Sequence, residues 1–146
     1  MRRVFIGIVA CTMALLLSAC RVEPDMVVMS DVNVNGWSDC TTLTYHNKFT
    51  EKCDVNIMLH INNRFNHESI SLEITTLTPD SLRHTEQVTL PVKFKWEQPT
   101  ATTADITLPY RRNVVLRCEG DYVWQITPLE SIDGVEAVGV NFKINN

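Results

Sequence analysis

From Met26 onward, apolar and polar residues alternate with a period of two, the spacing that sends every second side chain to one face of a β-strand. "DVNIMLHI" puts Val55, Ile57, Leu59 and Ile61 on one face, "SISLEITT" puts Ile70, Leu72 and Ile74 there, and "GVNFKI" does the same with Val140, Phe142 and Ile144. The same pattern predicts strands over Val27 to Val34, Thr41 to Phe49, Glu86 to Leu90, Val92 to Trp96, Ala104 to Leu116 with a break near Pro109, and Tyr122 to Ile126. Turn-forming clusters separate them: "NVNG", "TEKCD", "NNRFNHE", "TPDS", "QPTATT", "CEGD" and "SIDG". No stretch carries a helical stripe. A single antiparallel sheet would leave a face of Val, Ile and Leu in water, so the pattern predicts an all-β fold: an antiparallel β-sandwich of about eight strands. Jelly-roll and immunoglobulin-like topologies both satisfy it.

The first 25 residues follow a different rule. Met1-Arg2-Arg3 precedes an uncharged, mostly apolar run from Val4 to Leu17, which then stops at Leu17-Ser18-Ala19-Cys20 and gives way to "RVEPD". The run is shorter than the roughly 20 residues a membrane-spanning helix needs and fits a secretory signal. Leucine, two small residues and a cysteine resemble the lipobox of bacterial lipoproteins. The expected organisation is a signal peptide at 1–19, cleaved between Ala19 and Cys20, a lipidated Cys20 with a short tether at 20–25, and one β-sandwich domain at 26–146. Buried acyl chains at about 0.8 kcal/mol per CH₂ would make such an anchor lasting.

Charge narrows the partners. The formal net charge is −4, and losing Arg2 and Arg3 with the leader makes it −6. An acidic domain argues against nucleic acid and against peripheral binding to anionic lipid. Of the five cysteines, Cys11 leaves with the signal and Cys20 is committed to lipid, so Cys40, Cys53 and Cys118 remain in an oxidising compartment. Cys40 and Cys53 fall near opposite ends of an expected strand, about 30 Å apart at 3.3 Å per residue, beyond disulfide reach. A pair with Cys118 is open, but the expectation is buried thiols acting as small apolar residues.

Candidate chemistry is sparse. His46, His60, His67 and His84 fall in different expected elements without metal-ligand spacing, and are expected at the surface. There is no Gly-x-Ser-x-Gly elbow and no phosphate-binding glycine loop. Glu73, Asp80, Glu86 and Glu97 are acidic residues that a sandwich would bring together only by chance. These readings predict no enzyme, no metal and no cofactor. Trp96 and Trp124 are expected in or beside the core. Trp37 follows Gly36 in a turn, where it either plugs the sandwich end, the favoured reading, or stands exposed as a contact for a sugar or protein. "Asp80-Ser81-Leu82" resembles the Asp-[Ser/Thr]-apolar acceptor of O-glycosylation in Bacteroidetes, although an ordinary Pro-Asp turn accounts for it.

The segment "EGDYVWQITPLESIDGVEAVGVNFKI" resembles the close of the gliding-motility lipoprotein H family of Bacteroidetes, with a Gly-x-Tyr strand at Gly120 and Tyr122 and a Gly-[Ile/Val]-x-x-Val-Gly turn at Gly134, Val135, Val138 and Gly139. Looser marks are Trp37, Arg64 in "LHINNRF", the strand running into Pro-Asp in "LEITTLTPD", and the lipobox. The glycine- and tryptophan-rich stretch usual in that family is not matched by "VKFKWEQPTATTADITLP", which has no glycine. The resemblance implies a non-enzymatic envelope lipoprotein, a structural or interaction component of a gliding-motility or secretion-linked complex, with envelope proteins as partners. A glycan-binding surface module is the alternative. Surface-exposed lipoproteins of that phylum carry a dense acidic run after the anchor, where "RVEPD" offers only Glu23 and Asp25. The expected location is therefore the periplasmic face of the outer membrane.

Overall fold

The computed structural model describes residues 26–48, 50–97 and 100–145. The expected signal peptide, the expected lipidation site Cys20 and the expected tether lie outside them. Eight strands follow in order: β1 (Met26–Asp31), β2 (Thr41–Asn47), β3 (Lys52–Asn62), β4 (Ser69–Leu77), β5 (Arg83–Pro91), β6 (Thr103–Val115), β7 (Gly120–Pro128) and β8 (Val135–Ile144). They form two four-stranded antiparallel sheets, β1-β8-β3-β6 and β2-β7-β4-β5. Within these sheets the pairs β4–β5, β3–β6, β2–β7 and β1–β8 are nested, as in one long hairpin rolled over itself. That is jelly-roll order, which settles the topology the residue pattern left open.

The alternation works as read. Val55, Ile57, Leu59 and Ile61 of β3 meet Leu72, Ile74 and Ile126 of the facing sheet in one buried core. Tyr45 stacks on Phe142 with ring centroids 4.2 Å apart, and the ring of Trp124 lies edge-on to Phe142 at 6.0 Å.

Two expectations fail. Residues 92–97 keep the alternation but form no strand, because β5 is already the edge of its sheet and no ladder partner lies beyond it. The break near Pro109 does not occur either: β6 runs on through it. Pro109 faces Asn56 on an edge strand, where a missing N–H is tolerated, and the irregularity is absorbed by register shifts between Cys53 and Asn56. Within the shift between Cys53 and Val55, Asn113 takes φ 53° and donates its N–H to Asp54 Oδ1 at 3.0 Å. Arg112 Nη1 at 2.6 Å and Asn145 Nδ2 at 2.9 Å complete the clamp on that carboxylate.

Candidate functional site

The two sheets part where the edge strands β5 and β6 meet. The ladder between β4 and β5 pairs Thr76 with His84, Ile74 with Glu86, Leu72 with Val88 and Ile70 with Leu90, so Glu86 shares the inward row with Val88 and Leu90, and His84, in step with them, stands exposed at the mouth. Polar groups at inward positions cannot close the sandwich by apolar packing. A cavity of about 430 Å³ results, walled by Val55, Val114, Leu116, Tyr122 and Trp124, with Asp80, Leu82, Arg111 and Arg117 also lining it.

Three of its polar residues form one cluster. Tyr110 Oη donates to Glu86 Oε1, and Arg111 Nη2 reaches both oxygens of Glu86, at 2.6 Å to Oε2. Arg111 also lies over the Tyr110 ring, 5.3 Å from its centroid. Burial pushes the Glu86 carboxyl up, but the hydrogen bonds from Tyr110 and Arg111 and the positive charge of Arg111 outweigh it and hold the group below its ordinary value. Burial and then the hydrogen bond to Glu86 push the Tyr110 hydroxyl well above the usual phenol. The carboxylate is kept ionised, with both oxygens accepting hydrogen bonds from Tyr110 and Arg111. It suits a fixed polar rim. Trp124 Nε1 is the buried side-chain polar atom without a hydrogen-bond partner among the described residues, and it belongs to a ring enclosed by Tyr110 and Phe142.

The residues singled out from sequence do not assemble into a second site. Trp37 is not an exposed contact: it is 1% exposed and plugs the sandwich end. Its backbone forms a mutual bridge with Ile132, at 2.9 Å in both directions, and its Nε1 donates to Asp39 O at 2.9 Å and Thr41 Oγ1 at 3.2 Å. Ser81 is exposed in the β4–β5 turn at φ 65°. Asp80 and Glu86 share the cavity, whereas Glu73 accepts from Gln87 at 3.2 Å along the neighbouring strand. His46 pairs with Asp121 at 2.7 Å, and His60 lies between Asp105 at 2.7 Å and Glu136 at 3.7 Å. Among the described residues no group of three or more His, Cys, Asp or Glu is placed to hold a metal ion. Cys40, Cys53 and Cys118 are all free thiols. Cys53 is buried as expected and burial raises its thiol pKa, but Cys40 is exposed, because it follows the outermost turn rather than sitting in a strand.

Tyr110 and Arg111 were not legible as site residues. The phase of "RHTEQVTL" was a usable signal for Glu86, since it sets a histidine and a glutamate in step with two core aliphatics.

No protein-family model and no curated protein matches the chain. Among solved structures it is similar to the Eiger TNF of S. frugiperda, at 11% identity over 85% of this chain and 95% of that one, with a TM-score of 0.40. It is also similar to a chain of the Gx strain of infectious bursal disease virus, at 12% identity over 84% of this chain and 32% of that one, with a TM-score of 0.33.

Proposed function

We propose that this jelly-roll domain is a non-enzymatic binding module of the bacterial envelope, held by lipid on Cys20 at the periplasmic face of the outer membrane, and that it serves as an interaction component of a motility- or secretion-linked complex. One observation carries the reading: a lipobox-like Leu17-Ser18-Ala19-Cys20 stands five residues before the first strand, which starts at Met26. A tether of that length reaches at most about 20 Å, so the module would sit on the membrane rather than range away from it. The resemblance of residues 119–144 to the gliding-motility lipoprotein H family supplies the class of complex. The Glu86–Arg111–Tyr110 cluster, locked into its own hydrogen bonds, fits binding better than catalysis.

The test is Cys20→Ser. The wild-type chain should incorporate labelled palmitate and enter the detergent phase, and the variant should do neither. Affinity purification from gently solubilised envelopes should then bring down motility or secretion components with the wild type. A variant that stays membrane-bound as before overturns the anchor, and removal of the domain by protease treatment of whole cells overturns the periplasmic placement. A protein that comes down alone but shifts on adding envelope polysaccharide is the glycan-binding module instead.

A further inference from the structure

We infer that the end of the sandwich where β1 begins is a membrane-contacting face, and that the cavity opening there takes an acyl chain of a bilayer phospholipid. The inference rests on the proposed anchor for its geometry but on separate residues for its chemistry. Met26, the β4–β5 turn, the β6–β7 connection and the last residues of β8 all lie at this end, as the pairs Met26–Phe142, Lys52–Val115, Asn47–Gly120 and Leu77–Arg83 require. The cavity is lined from the same turn and connection, by Thr78, Asp80 and Leu82 on one side and Val114 to Cys118 on the other. Leu82 is 65% exposed and Val115 38% exposed, so two large aliphatics stand in water among the residues that line it. Val55, Val114, Leu116, Tyr122 and Trp124 give it an apolar wall of the kind an acyl chain needs, while Asp80, His84, Glu86, Arg111 and Arg117 supply its polar side.

Charge selects the same end. Lys48, Lys52, Arg83, Arg112, Arg117 and Lys143 lie there, interleaved with Glu51, Asp54, Asp80, Glu119 and Asp121 into near balance. The opposite end carries Asp31, Asp39, Glu68, Glu130, Asp133 and Glu136, with Arg64 among them. An acidic domain therefore approaches an anionic surface with least repulsion through the β1 end. Net charge alone disfavours anionic lipid, and what favours contact through this face is how that charge is divided between the two ends.

The full lipoprotein is mixed with or reconstituted into vesicles of phosphatidylglycerol and phosphatidylcholine brominated on its acyl chains, since bromine quenches indole at contact. Trp124 walls the cavity and is only 4% exposed, so a lipid headgroup at the surface cannot reach it. The expected result is loss of Trp124 emission, identified by its disappearance in Trp124→Phe, while Trp37 at the far end keeps its own. Leu82→Asp, at an exposed position that leaves folding intact, should require roughly ten-fold more brominated lipid for the same quenching. Vesicle flotation is read in parallel and reports the anchor alone. Unquenched Trp124 overturns this inference whether or not the protein floats, and quenching undiminished by Leu82→Asp overturns the assigned mouth.

Discussion

At the scale of single residues, function-sized consequences rest on backbone geometry that few side chains allow. Gly134 takes φ +80°, and a Cβ there would run into the backbone N and Cα of Phe65. Both conditions exclude an L side chain. Gly134→Ala is expected to cost at least ~2 kcal/mol, read as a lower urea midpoint at unchanged slope. Gly139 needs only the second condition, since an added Cβ would lie 2.5 Å from Met29 Cγ and 2.6 Å from Val28 O on the neighbouring strand. Asp54 is the electrostatic counterpart. Hydrogen bonds from Asn145 and the Asn113 N–H, then Arg112, lower its carboxyl pKa from 3.8 to about 2. A group depressed in the folded state stabilises fully above its unfolded value and loses that contribution as pH falls through its folded one. Asp54→Asn should therefore be less stable than wild type at pH 7, and the gap should close as pH drops from 3.8 to about 2. Urea melts across that window check it.

At the scale of elements, the ends of the sandwich divide the labour. The far end is sealed by Trp37, whose ring closes the core while its backbone ties the β1–β2 connection to Ile132 between β7 and β8. Trp37→Ala should cost about 3–5 kcal/mol, as truncation of a buried aromatic does, and leave lipid quenching of Trp124 unchanged once the protein is folded. Thermal unfolding and the vesicle assay read the two halves of that statement separately. The near end is left ajar by the inward Glu86 of β5, and the Glu86–Arg111–Tyr110 cluster links its two edge strands. Sequence and structure part at this level too. Residues 92–97 have a strand's alternation without a strand's neighbours, while β6 survives Pro109 because its edge position leaves that N–H unneeded.

For the whole molecule, the nested pairing sets how the chain must fold. Among the described strands only β4 and β5 are consecutive and also paired, and β1 must find β8 across nearly the entire domain. Contacts of such sequence separation carry a loop-closure cost before they stabilise anything, so refolding is expected in milliseconds to seconds rather than microseconds. Stopped-flow tryptophan fluorescence measures it, and a microsecond phase with full native amplitude would contradict the topology. The same rolled arrangement brings the chain's first strand, the cavity and most of the basic residues to one end. Under the proposed lipid anchor, topology and tether would orient the domain the same way.

Alternation by itself determined that the chain is all-β, which residues face the core, and where most strands lie, because side-chain direction along a strand depends only on residue parity and burial rewards one parity. Val55 to Ile61 and Ile70 to Ile74 were legible for that reason. The leader expected at 1–19 and the lipobox-like Leu17-Ser18-Ala19-Cys20 are likewise read from adjacent residues. Only the tertiary structure decided which strands pair, that the order is a jelly roll, that Trp37 faces inward, and that Glu86 meets Tyr110 and Arg111 some 25 residues away. Pairing and convergence are set by how two twisted sheets close on each other, and no local pattern records which distant edge a strand will find.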